Sequence, residues 1–103
     1  MDREYAIEVA KKYAEQVVHS MPVKSVILYG SYANDTAGEY SDIDIAVLVD
    51  FLTEDYLETA AKLYRLRRGI ELRIEPKILI DDGSDKSGFI EEVKSTGYSV
   101  YPM

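Results

Sequence analysis

Cysteine is absent from this chain and histidine occurs once. Without cysteine there is no disulfide framework, no zinc–thiolate site and no thiol nucleophile. His19 has no second histidine to pair with and, at a helix end, reads as a surface residue. Long apolar runs are missing too, since none reaches the roughly 18 residues of a membrane span. The N-terminus, MDREYAIEVAKKYAEQVV, is charged and amphipathic from its second residue, without the apolar centre of a signal peptide. The expectation is a cytoplasmic protein with no membrane partner. Positive charge is the scarcer sign, with 12 Lys and Arg against 19 Asp and Glu and a net charge of −7. That balance lacks the basic footprint that polynucleotides and anionic membranes require, so a nucleic-acid partner is disfavoured. The glycines fit neither a GxGxxG nor a GxxxxGK[ST] pattern, which removes the dinucleotide fingerprint and the P-loop.

What is present is an ordinary globular composition, 47% apolar and 30% charged over 103 residues. This length holds one domain, 1–103, with room for a single site. Apolar residues at Tyr5, Ala6, Val9, Ala10, Tyr13, Ala14, Val17 and Val18 follow the spacing of one helical face and predict a helix over 3–19. VKSVILYG reads as a buried strand ending at Gly30, and a second strand runs from Asp42 to about Val49. DFLTEDYLETAAKLYRLRRG predicts a helix with Thr53 as its N-cap and Arg65, Arg67 and Arg68 in its last turn. The alternation in IELRIEPKILI predicts a third strand, with Glu71, Arg73 and Glu75 on one face and Pro76 marking an edge or bulge. GFIEEVKSTG reads as a short helix closed by Gly97, and YSVYP as a terminal strand.

One stretch carries the chemistry. In VILYGSYANDTAGEYSDIDIAVLVD, residues 26–50, Asp42 and Asp44 interrupt an otherwise apolar strand, and no Lys or Arg lies between Lys24 and Lys62. Residues two apart on a strand share a face about 6.5 to 7 Å apart, so these carboxylates project side by side and repel. Oxygen-only donors without histidine or cysteine suit magnesium or manganese rather than zinc. A calcium loop fits poorly, because apolar residues follow where further acids would be needed. Gly30-Ser31, where the first strand ends, lets backbone amides approach an anion. Phosphate cradle and metal-binding acids together are the parts of phosphoryl or nucleotidyl transfer.

The stretch YGSYANDTAGEYSDIDIAV resembles the signature of the DNA polymerase β-like nucleotidyltransferase superfamily: Gly-Ser, a spacer, then Asp-x-Asp between hydrophobic residues. In size the chain is similar to its minimal, MntA-type members. The resemblance implies an α/β (α+β) fold, a small mixed sheet flanked by helices, and two magnesium ions with manganese as the substitute. It implies transfer of a nucleoside monophosphate from a nucleoside triphosphate, AMP from ATP in the leading reading, to an acceptor hydroxyl. Gly30 and Ser31 would hold the β and γ phosphates, and Asp42 and Asp44 the metals. A third carboxylate on a neighbouring strand would be Glu71 or Glu75. They lie about 13 Å apart on a strand, so only one reaches the metals, and the spacing favours Glu71. Arg73 would contact the triphosphate or neutralise the other glutamate. The partner implied is a helical HEPN-type protein, silenced by addition of AMP. The rival reading is a non-catalytic nucleotide-binding or antitoxin subunit acting by contact alone. Arg65, Arg67 and Arg68 form either a phosphate clamp or a helix terminus, and Tyr29 and Tyr32 either core or a stacking platform for a base.

Overall fold

The computed structural model describes residues 2–34, 36–38 and 41–102. Along the chain run α1 (Arg3–Ser20), β1 (Ser25–Tyr29), β2 (Ile43–Val49), α2 (Tyr56–Leu66), β3 (Ile74–Ile80), α3 (Phe89–Thr96) and β4 (Tyr98–Tyr101). The strands form one sheet in the order β3-β2-β1-β4. β1 pairs antiparallel with both β2 and β4, whereas β2 and β3 are parallel. The fold is therefore mixed α/β, a four-stranded sheet flanked by three helices.

Strand periodicity divides the apolar residues between two layers. Odd positions of β2, Ile43, Ile45, Val47 and Val49, join Val26 and Leu28 of β1 against the Ala6, Val9, Ala10, Tyr13 and Val17 face of α1 and Leu63 of α2. Each fully buried Ile, Val or Leu contributes about 1.5–3 kcal/mol. On the opposite face Ile27, Ala46, Leu48 and Leu79 pack against Ile90 and Val93 of α3. Asp44 and Glu75 have the parity of this second face, at the beginnings of β2 and β3, and stand outside that apolar cluster.

Local chemistry sets the helix ends, and α2 departs from the sequence expectation. Its N-cap is Asp55, whose carboxylate accepts the Glu58 N–H at 2.9 Å, and not Thr53. The helix ends at Leu66, so Arg65 alone occupies the last turn, with Arg67 at the C-cap and Arg68 beyond it. The third strand also begins later than the alternation predicts. Residues 67–73 form turns stitched by Ile70 and Glu71 N–H bonds to the Arg67 carbonyl at 3.0 Å, so Glu71 and Arg73 share no strand face with Glu75. Leu72, in this turn, is 63% exposed. Pro76 lies in an edge strand, where its missing N–H costs no central ladder bond.

Candidate active site

Register assembles the site. Antiparallel pairing sets Tyr29 opposite Asp44, and parallel pairing sets Asp44 opposite Glu75, so these three residues form a row across β1, β2 and β3. Cross-strand partners share a face of the sheet. Around this row opens a cavity of about 410 Å³ lined by Asp42, Asp44, Glu75, Lys77, Tyr29 and the α2 residues Tyr56 and Tyr64, among others. Asp42 directly precedes β2 and is exposed, whereas Asp44 is half-buried.

Burial raises the Asp44 carboxyl above the usual carboxylate range, the negative charges of Asp42 and Glu75 raise it further, and Lys77 opposes them. The Tyr29 hydroxyl is pushed up to about 12 by burial and then by Asp44 and Glu75. Its ring meets Phe89 edge-on at 5.9 Å, closing that side of the site. Glu75 is held from α2: its Oε2 accepts the Tyr64 hydroxyl at 3.0 Å, and Arg67 stands 3.8 Å from its Oε1. Arg67 is itself fixed, donating to the Leu72 and Ile74 carbonyls at 2.9 and 2.8 Å and lying over the Tyr64 ring at 4.8 Å. That bond to Glu75 also raises the Tyr64 hydroxyl, which stays protonated.

Gly30 closes the row from below. Its φ of +74° is a conformation side chains rarely adopt, and a β-carbon there would collide with Asp44 Oδ2. The residues after it turn at once, the Asn34 N–H bonding the Gly30 carbonyl at 3.0 Å and the Thr36 N–H the Ser31 carbonyl at 2.8 Å. Ser31 thus sits in the turn beside Gly30 and does not line the cavity wall.

Several anticipated residues stand elsewhere. Glu71 is outside the cavity: its Oε1 accepts the Tyr5 hydroxyl at 3.0 Å and its Oε2 the Arg73 N–H at 3.0 Å, which lowers its carboxyl, the Arg73 N–H foremost. Arg73 pairs with it, Nε to Oε2 at 3.8 Å, and is likewise absent from the cavity wall. Tyr32 is 1% exposed within the α1-side core, so it offers no face to a base. Sequence reasoning missed Lys77 and Tyr64. Lys77 was legible, since IEPKILI sets 75, 77 and 79 on one face.

In kind, the donors fit a hard divalent cation: three carboxylates, and an Asp44 whose like-charged neighbours impose a penalty that a cation relieves. Among the described residues no three carboxylate, imidazole or thiol groups stand gathered at ligand distance, so the acids line one cavity without closing a cage.

Comparison with known proteins places this arrangement. A protein of Methanocaldococcus jannaschii named "Putative protein adenylyltransferase" is 39% identical over 59 residues, covering 50% of this chain and 69% of its own. A second protein of that name and organism is 30% identical over 98 residues, covering 91% of this chain and 97% of its own. In fold the chain is similar to the crystal structure of a "putative nucleotidyltransferase" from Sulfolobus solfataricus, with a TM-score of 0.67 at 23% identity over 94% of this chain and 80% of that one. The nucleotidyltransferase domain profile matches residues 10–97, a span running through every element from β1 to α3 and including all the acids of the cavity. This enzyme therefore belongs to the nucleotidyltransferase domain family and is a minimal nucleotidyltransferase, acting by transfer of a nucleoside monophosphate.

Proposed function

We propose that the chain transfers AMP from ATP, with magnesium, to a hydroxyl group of a protein. One observation carries the reading: Asp44 has Asp42 two residues before it and Glu75 beside it in register, against a glycine with no room for a side chain. In this reading Asp42 and Asp44 hold the cation and Glu75, in place of Glu71, is the third carboxylate. When bound, magnesium offsets the charge of the triphosphate and polarises the phosphoryl group under attack.

The chain's own groups then position the reactants. In this reading the Gly30 and Ser31 amides, in the turn that follows β1 at the margin of the cavity, cradle the β and γ phosphates, and Lys77 on the cavity wall adds a positive charge. Glu75, oriented by Tyr64 and Arg67, faces the attacking hydroxyl and accepts its hydrogen bond. Arg73, paired with Glu71 outside the cavity, serves in this reading to neutralise that glutamate.

The names of the two relatives as protein adenylyltransferases support a protein acceptor, and the resemblance to MntA-type members supports a helical HEPN-type partner as its source. The open spacing of the acids favours a second reading, a subunit that binds nucleotide and acts by contact alone. Incubation with α-labelled ATP, magnesium and the partner distinguishes them. Label on the partner, lost with Asp44→Asn, bears out the enzyme; silencing of the partner without label bears out the contact subunit.

A further inference from the structure

The hydrogen bond that orients Glu75 comes from a hydroxyl of the chain itself. Tyr64 projects from α2, is 39% exposed and lines the same cavity as Asp42, Asp44 and Glu75. Its Oη donates to Glu75 Oε2 at 3.0 Å, and Glu75 is the register partner of Asp44. Within the proposed reaction an acceptor hydroxyl must do this: stand in the cavity in contact with the third carboxylate, its proton already directed at a base. Tyr64 meets that description with nothing else bound. The other tyrosines at the cavity differ in this. Tyr29 is half-buried with its ring against Phe89, and Tyr56 makes no hydrogen bond to any of the three acids among the described residues.

From this geometry we infer that Tyr64 is a site of self-modification, at which the enzyme places a nucleoside monophosphate on its own hydroxyl. This inference rests on the nucleotidyl-transfer reading of the cavity. The Tyr64 Oη attacks the α-phosphorus of a bound nucleoside triphosphate, an Oη–P bond forms, and the bond from the α-phosphorus to the bridging oxygen breaks. Pyrophosphate leaves with the electron pair of that bond. The hydroxyl proton passes to Glu75, which already accepts it, and from there to solvent. The product is a tyrosyl phosphodiester, and no oxidant, reductant or further co-reactant is consumed.

Modification would change the site that performs it. A phosphodiester carries a negative charge and has no proton to donate, so Glu75 loses the hydrogen bond that holds it and gains a like charge at its side. The Arg67 guanidinium, now over the Tyr64 ring and near Glu75, is the cation placed to meet the new charge. The modified enzyme is therefore expected to transfer more slowly to any other acceptor.

The test uses the purified full chain with magnesium and α-labelled ATP and no other protein. The expected result is label that stays with the chain after unfolding, a mass increase of one adenylyl group, and fragmentation that assigns the adduct to Tyr64. Tyr64→Phe should lose the label, whereas Tyr98→Phe, altered on β4 away from the cavity, should keep it; thermal melting checks that both fold. A labelling rate that does not change with protein concentration is expected for transfer within one chain, and a rate that climbs with concentration would overturn the geometry. An adduct on another tyrosine, or bound ATP with no adduct at all, overturns the inference and leaves the nucleotidyl-transfer reading standing. Failure of the chain to bind ATP in the presence of magnesium overturns both.

Discussion

Gly30 and Asp44 approach so closely that a single added carbon on Gly30 would overlap Asp44 Oδ2. One contact thus couples the end of β1 to the central acid of β2. Gly30→Ala should destabilise the fold by about 1–2 kcal/mol, the cost of a side chain in a left-handed conformation, and should displace the Asp44 carboxylate as well. Urea unfolding measures the first effect. Calorimetry with Mg-ATP measures the second, as an affinity at least about tenfold weaker, or 1.4 kcal/mol; unchanged affinity would remove Gly30 from the phosphate cradle.

Asp44→Asn removes a charge that burial, Asp42 and Glu75 all disfavour. Without metal the variant should be as stable as the parent or more so, since a like-charge repulsion is relieved. Magnesium-dependent ATP binding should vanish. A less stable variant, seen by thermal melting in a chelator, would contradict the electrostatic account of this site.

The two glutamates separate cleanly. Glu75→Gln should lower single-turnover transfer by about a hundredfold or more, as expected when a base or metal-assisted activation of a nucleophile is lost. Glu71→Gln leaves one acceptor oxygen where there were two, so it loses the contact to either Tyr5 or Arg73 at the turn before β3, and should cost about 0.5–1.5 kcal/mol of stability while transfer continues. The reverse pattern would return Glu71 to the site.

At the far end of the strands Asp81 receives Lys94 Nζ at 2.7 Å and Lys24 Nζ at 3.4 Å, and its carboxyl is lowered, first by the Lys94 contact. A carboxyl lowered in the folded state adds stability above its unfolded pKa and loses it as pH falls through the folded one. Asp81→Asn should therefore cost on the order of 1 kcal/mol at pH 7. The gap between variant and parent should close as pH falls through and below the carboxylate range, as followed by urea unfolding at several pH values.

Much of the architecture was legible in the sequence where a pattern repeats. Eight apolar positions from Tyr5 to Val18 mark α1, and the Ile43–Val49 run marks the central strand. The alternation in IELRIEPKILI misled because its first half is a turn: Glu71 alternates with its neighbours in sequence but spends its carboxylate on the Arg73 N–H. Period two detects a strand only when every member is in one. Asp55, three residues before Glu58, has the spacing of a capping pair, and Thr53 does not. The pairing of Asp44 with Glu75 depends on the register of two parallel strands separated by α2, and no short window contains that information.

Helix α3, eight residues long, covers only part of its face of the sheet, and the acids lie on the part it leaves bare. Nothing in the chain's described residues roofs Asp42, which is exposed to bulk water. In the proposed reaction a nucleotide seated there faces water as a competing nucleophile, which the described residues do not exclude. Slow release of free AMP is then expected to compete with transfer to Tyr64, and a protein acceptor docked on that face would exclude the water. In the proposed transfer to a protein, fidelity over hydrolysis would then depend on the docked acceptor as well as on the enzyme.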